Sequence, residues 1–284
     1  MKQFIAIAAV LITGAASAQT ITRKADLKKG QQLEASSTMK MVMSMEMMGQ
    51  SMDVVNNYKF TNKVSVTDAN ASENKLTATL THVVMDMQAG PQSMSYDSDK
   101  KEDANSQLGE AFSGKINKPF NVTTDKKGMI TASDDNSTDA ADMAGSISGG
   151  MGESMTKVGT SLEIIGNLPA GRALKTGDTW VDSLTDPKTN SKFVLNYRVA
   201  SIQSGVATIS YGGTVGRSGE MQQGGMTMNI DLKGLLKGDF TLDVASGLLK
   251  TRKVNMEGDG KMEIMGQEVP FKMKIDTDTA VTGQ

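Results

Sequence analysis

Apolar and polar residues alternate with a period of two along most of the chain. From Thr38 to Met47, the residues Met39, Met41, Met43, Met45 and Met47 share one parity, while Thr38, Lys40, Ser44 and Glu46 share the other with Val42. Val54, Tyr58, Phe60, Val64 and Val66 keep one parity in the next segment, and Leu76, Ala78 and Leu80 do so in the one after. In the second half Phe193, Leu195, Tyr197 and Val199 alternate, followed by Ile209, Tyr211 and Val215. Towards the end Val269, Phe271, Met273 and Ile275 oppose Lys272, Lys274, Asp276 and Asp278. Successive side chains of a strand point to opposite faces, so this pattern predicts half-buried strands in an antiparallel sheet with one dry and one wet face. Runs of about 10 to 14 residues make long strands. Their right-handed twist curls such a sheet into a half-barrel or barrel.

One stretch has another period. Met143, Ile147, Met151, Met155, Val158, Leu162 and Ile165 recur at three- and four-residue intervals, which predicts an amphipathic helix near 138–165. Ser137, Thr138 and Asp139 offer caps before it. Gly145, Gly149, Gly150 and Gly152 weaken it by about 1 kcal/mol each relative to Ala, so it needs a sheet to lie on. Leu108 and Phe112 mark a shorter helical candidate.

Two short patterns recur. Leu27-Lys28-Lys29-Gly30 returns as Leu174-Lys175-Thr176-Gly177, and Met45-Glu46-Met47-Met48-Gly49-Gln50 returns as Met262-Glu263-Ile264-Met265-Gly266-Gln267. Both Gly-Gln pairs lie between alternating runs, where a tight hairpin turn belongs. The spacing between motifs differs in the two halves, so this is no simple tandem repeat. The expected class is therefore mainly β: a long curved antiparallel sheet or open half-barrel built from two related halves, with one main helix on the concave face. The expected organisation is a signal peptide over 1–18, a β half with the helix over 19–166 and a second β half over 167–284, the two halves forming one continuous domain.

The export reading rests on Lys2, the apolar run Phe4 to Ile12, and the small-x-small site Ala16-Ser17-Ala18, which puts the mature start at Gln19. That run falls short of the roughly 20 apolar residues of a spanning helix, and no later segment approaches that length. A periplasmic or secreted product, soluble or peripheral and not integral to the membrane, is expected. The absence of cysteine removes a lipobox, disulfides, thiolate metal sites and a cysteine nucleophile. Taking Lys2 from the 30 basic residues leaves 29 against 32 acidic ones, a formal charge of −3. With one Trp, four Tyr and no basic cluster, nothing favours nucleic acid.

Catalytic patterns fail on context. Ser37-Thr38-Met39-Lys40 and Lys175-Thr176-Gly177 match elements of penicillin-recognising enzymes, but the serine and lysine of S-x-x-K must share a helix face. Here they open a period-two run, where residues three apart oppose each other. His82, the sole histidine, shares the parity of Leu76, Ala78 and Leu80, so it is expected to face the core or a cavity mouth. No nucleophile elbow accompanies it, and no catalytic or cofactor site is expected. Methionine, 22 of 284 residues, is the anomaly. Thioethers are soft ligands suited to Cu(I) or Ag(I). Residues i and i+2 on one strand, however, stand almost 7 Å apart, too far to share an ion without a neighbouring strand. Methionine also fills adaptable cores and lines flexible apolar cavities. The candidate cavity residues are Met41, Met43, Met45 and Met47 from the first run, Phe193, Leu195 and Tyr197 from the second half, and Phe271 and Met273 from the last run.

The Leu-Lys-x-Gly openings, the Met-Glu-Met-Met-Gly-Gln hairpin, Lys118-Pro119-Phe120 before the Asp125 to Gly128 turn, and Gly177-Asp178-Thr179-Trp180 after Leu168-Pro169 carry a resemblance. From about Ala25 to Thr282 the chain resembles a family of exported β-rich proteins from Gram-negative bacteria that has no assigned activity. The expected architecture is also similar to envelope lipid and lipoprotein carriers, a likeness of fold and not of function. The leading expectation is an exported protein that binds an apolar ligand, a lipid or acyl chain, in a methionine-lined concavity. The alternatives are a periplasmic Cu(I)/Ag(I) binder and a structural or interaction protein without a ligand.

Overall fold

The computed structural model describes residues 19–47, 49–134, 153–186, 190–223, 226–264 and 266–283. The first part of the chain forms β1 (Thr20–Ile21), β2 (Gln32–Met47), β3 (Gln50–Ala69), β4 (Glu73–Ala89), β5 (Gln92–Asp97), helix α1 (Gln107–Ser113), β6 (Pro119–Asp125) and β7 (Ile130–Ser133). Three two-residue strands follow: β8 (Glu153–Ser154), β9 (Ser161–Leu162) and β10 (Leu174–Lys175). The rest is β11 (Thr179–Asp186), β12 (Ser191–Gln203), β13 (Val206–Gln223), β14 (Met226–Asp243), β15 (Leu249–Ile264) and β16 (Gln267–Gly283).

Twelve strands make one antiparallel sheet in the order β11-β12-β13-β14-β15-β16-β2-β3-β4-β6-β7, with β5 paired to the other stretch of β4. β11 and β7 are its two ends, so the sheet is open. β16 returns beside β2, pairing from Phe271↔Met45 to Gly283↔Leu33. Both expected Gly-Gln hairpins form: Gly49 and Gly266 adopt φ of 75° and 77°, and each glutamine opens the next strand. A positive φ in the second place of a two-residue loop matches strand twist and favours glycine.

The alternating runs bury one face. Met39, Met45, Tyr58, Met85, Phe193, Leu195, Tyr197, Leu236, Met256 and Phe271 all belong to the main core, which also takes in Phe112 of α1. The shorter helical candidate is thus α1, opened by the Ser106 hydroxyl accepting from the Gly109 amide. A smaller core, with Leu33, Val64, Leu76, Val122, Leu162 and Ile165, sits at the other end of the strands. Glycine lets aromatic rings lie flat on this face. Tyr211 pairs with Gly238 and Phe271 with Gly260, and a Cβ on either glycine would come within 2.8 Å of the partner ring.

The helix expected near 138–165 is not found where the chain is described. Residues 135–152 lie outside the described residues, and residues 153–165 contain β8, turns and β9. Val158 is 57% exposed while Ile164, off the expected stripe, is fully buried. The backbone there bonds outward: Leu162 N donates to Gly128 O and Leu249 N to Ile164 O. Ile130 N donates to Thr160 O and Gly166 N to Gly247 O, so this segment ties the β6–β7 turn to the β14–β15 turn. Within the segment, burial pushes the Glu163 carboxyl up, while Arg252 and the Ser37 hydroxyl pull it the other way.

Candidate functional site

The candidate cavity residues are carried by one face, apart from Met47, whose side chain lies outside the described residues. Met45, Phe193, Leu195, Tyr197 and Phe271 are buried in the main core, and Met41, Met43 and Met273 are half-buried and packed against it. Met47 stands at the end of β2 opposite Gln50. Register joins the methionines to the last strand: Met45 faces Phe271, Met43 faces Met273 and Met41 faces Ile275.

A depression lies on the opposite, wet face. It is a groove of about 990 Å³ crossing β12 to β16 and β2. Two neighbouring transverse rows line it. One runs Lys192–Gly216–Lys233–Asp259–Lys272–Ser44, and the other Val194–Thr214–Leu235–Glu257–Lys274–Val42. The second row presents apolar side chains to water, Leu235 at 68% exposure. Gly216 leaves the middle of the first row without a side chain; a Cβ there would meet only the Leu232 carbonyl, at 3.9 Å. Four lysines outnumber two carboxylates along the lining. Lys274 reaches Glu257 at 3.9 Å and Asp276 at 3.8 Å. Lys192, Lys233 and Lys272 have no ion pair within 4 Å among the described residues. The groove thus combines an apolar strip, interrupted by Thr214, Glu257 and Lys274, with a row carrying surplus positive charge.

His82 occupies neither place, and the expectation that it shares the face of Leu80 is corrected. β4 carries an extra residue at Thr81: Asn62 pairs with Leu80, but Thr61 pairs with His82. One inserted residue reverses every later side chain. The core parity of β4 therefore passes from Leu76 and Ala78 to Val83 and Met85, and His82 is turned to the wet face. There its Nε2 lies 3.0 Å from Asp97 Oδ1 and 3.6 Å from Asp99 Oδ2. The Asp99 amide donates to the Asp97 carboxylate, and with His82 it holds that carboxyl below the usual aspartate range. The three groups lie close enough to hold a cation, but their mutual bonds already account for the arrangement.

The family described as "Family of unknown function (DUF6263)" matches residues 71–249, more than half of the chain. The chain belongs to DUF6263. The match opens just before β4 and ends at the start of β15, so it takes in the two turns joined through residues 160–166 and the β12–β14 part of the groove. No curated protein matches the chain. Among solved structures, an outer membrane channel from Pseudomonas putida F1 aligns over 92% of this chain and 98% of that one, at 7% identity and a TM-score of 0.21. That superposition is too loose to carry an argument about fold or function.

Of the expected cavity residues, only Met273 borders the groove. The residues that build the groove sit on the parity read as the wet face, among them Lys272 and Lys274. Their one signal in the DUF6263 chain is the intrusion of Val42, Val194 and Leu235 among polar neighbours of that parity. Isolated apolar surface residues are common, so the signal becomes specific only once the register aligns them.

Proposed function

We propose that this is an exported envelope protein that binds a single-chain anionic amphiphile, such as a fatty acid, in the groove of the wet face. The observation that supports the reading is a broken apolar strip, Val194 and Leu235 about Thr214 with Val42 beyond Glu257 and Lys274, running beside a row that carries Lys192, Lys233 and Lys272. An acyl chain on the strip leaves water at about 0.8 kcal/mol per buried methylene, and the lysine row attracts the carboxylate. The groove's volume falls within the range of small-molecule sites. The methionine face then acts as an adaptable core beneath the site, with Met273 reaching its border. The apolar cargo inferred from the alternating strands is kept; its seat moves to the other side of the sheet.

The test uses the full mature chain with a fluorescent fatty-acid analogue, displaced by unlabelled oleate. Gly216→Leu fills the groove at a position with room for a side chain and should weaken binding tenfold or more. Lys233→Glu should weaken the anionic probe while sparing its alcohol counterpart. No uptake of the probe by the wild type, or uptake that Gly216→Leu leaves unchanged, would refute the proposal.

A further inference from the structure

A separate set of side chains lies on the core face, close to the β4–β5 turn. Met41 pairs with Asn56, Asn56 with Met87 and Met87 with Met94, so the four stand in one row across β2, β3, β4 and β5. Directly paired residues project to the same face with Cβ atoms about 5 Å apart, which removes the spacing problem of i and i+2 thioethers on a single strand. The row is graded in depth. Met94, on the edge strand, is 47% exposed, and Met87 and Met41 are half-buried. Asn56 is 4% exposed, and its Oδ1 has no hydrogen-bond partner. A dry amide oxygen without a partner is unusual and calls for a group that compensates it.

The geometry points to a binding site for a soft monovalent cation, Cu(I) or Ag(I), held by the sulfurs of Met87 and Met94. Asn56, the next residue inward in the row, offers an unpartnered Oδ1 beside the charge. Thioethers select such ions over Mg²⁺ or Ca²⁺, which take oxygen ligands. The chain has no thiolate to compete, and its one imidazole is on the other face of β4. Exposure of Met94 gives the ion its way in. The site is independent of the groove, which lies on the opposite face.

Ag(I), which needs no reductant, is the probe. The full mature chain, carrying ¹³C-methyl methionine, is titrated with Ag(I) and followed by NMR. In parallel, Cu(I) is competed against a chromogenic chelator. One equivalent should shift the methyl signals of Met87 and Met94 first. The double variant Met87→Leu/Met94→Leu, which keeps apolar volume, should lose at least tenfold in affinity, while Met43→Leu should retain it. Failure of the wild type to compete, first shifts at other methionines, or undiminished binding by a double variant with wild-type spectra elsewhere would each overturn the assignment.

Discussion

Asp243 shows how much a single carboxylate can fix. Its Oδ1 accepts from both the amide and the hydroxyl of Ser246, at 2.8 Å each, and these bonds hold its carboxyl below the ordinary value of 3.8. A depressed value means the folded state binds fewer protons than the unfolded one just below that pH. Its stabilisation is therefore complete above the ordinary aspartate range and is lost as the pH falls through the folded value. Asp243→Asn should cost about 1 kcal/mol at about pH 7, and the gap to wild type should close at about pH 2. Urea midpoints at the two pH values check this; a gap that persists in acid would refute the charge as its origin. At this scale the sequence was a partial guide. It marked the Asp125 to Gly128 turn, whose Asp125 carboxylate accepts from the Lys127 and Met129 amides, but it misplaced His82. The insertion at Thr81 that reverses His82 shows only in the pairing of β3 with β4, and pairing is not written in a single run of residues.

Alternation predicted the strands well because a period of two leaves each strand only one way to bury its apolar set. Their lengths were underestimated: β3 has 20 residues and β13 and β14 have 18 each. In β13 the additional length comes from a glycine-bearing stretch, with Gly212, Gly213 and Gly216, that breaks alternation without ending the strand. Gly238 and Gly260 earn a further role beneath the rings of Tyr211 and Phe271. A Cβ at either position would also collide with a backbone carbonyl of the neighbouring strand, Lys253 for Gly238 and Asp231 for Gly260. Gly238→Ala and Gly260→Ala should each destabilise by about 1 to 3 kcal/mol, measured by chemical denaturation, although Ala ordinarily suits a strand at least as well as Gly. A neutral result at both would mean that the rings move aside freely. Over residues 153–165 the helix expectation failed for a related reason. A stripe of Met155, Val158, Leu162 and Ile165 has helical spacing, yet the segment's amides and carbonyls are engaged by two distant turns. Periodicity reports side chains and is silent about where the backbone finds its partners.

At the scale of the whole molecule, the first long strand, β2, lies against β16, the strand furthest from it along the described chain. Thirteen residue pairs join β16 to β2 in the middle of the sheet, each strand also being held by its hairpin partner, β15 or β3. Alternation could assign both strands to a sheet but could not say that they touch. The groove inherits the same obscurity, since Val42 and Lys274 become neighbours only along this seam. A chain ending at Ile264 should therefore leave the edges of β2 and β15 unpaired and lose cooperative unfolding altogether, not merely a margin of stability. Circular dichroism during a thermal ramp would show it, and a sharp transition in the truncated chain would count against the central role of the seam.

That seam also sets a clock. A ribosome releases β2 long before β16 exists, so the two orders, of manufacture and of assembly, run against each other. Until the final strand emerges, β2 stands beside β3 with one bare edge and its methionines uncovered, and no partial chain can complete the sheet. The seventeen residues of β16 are thus the latch of the whole sheet.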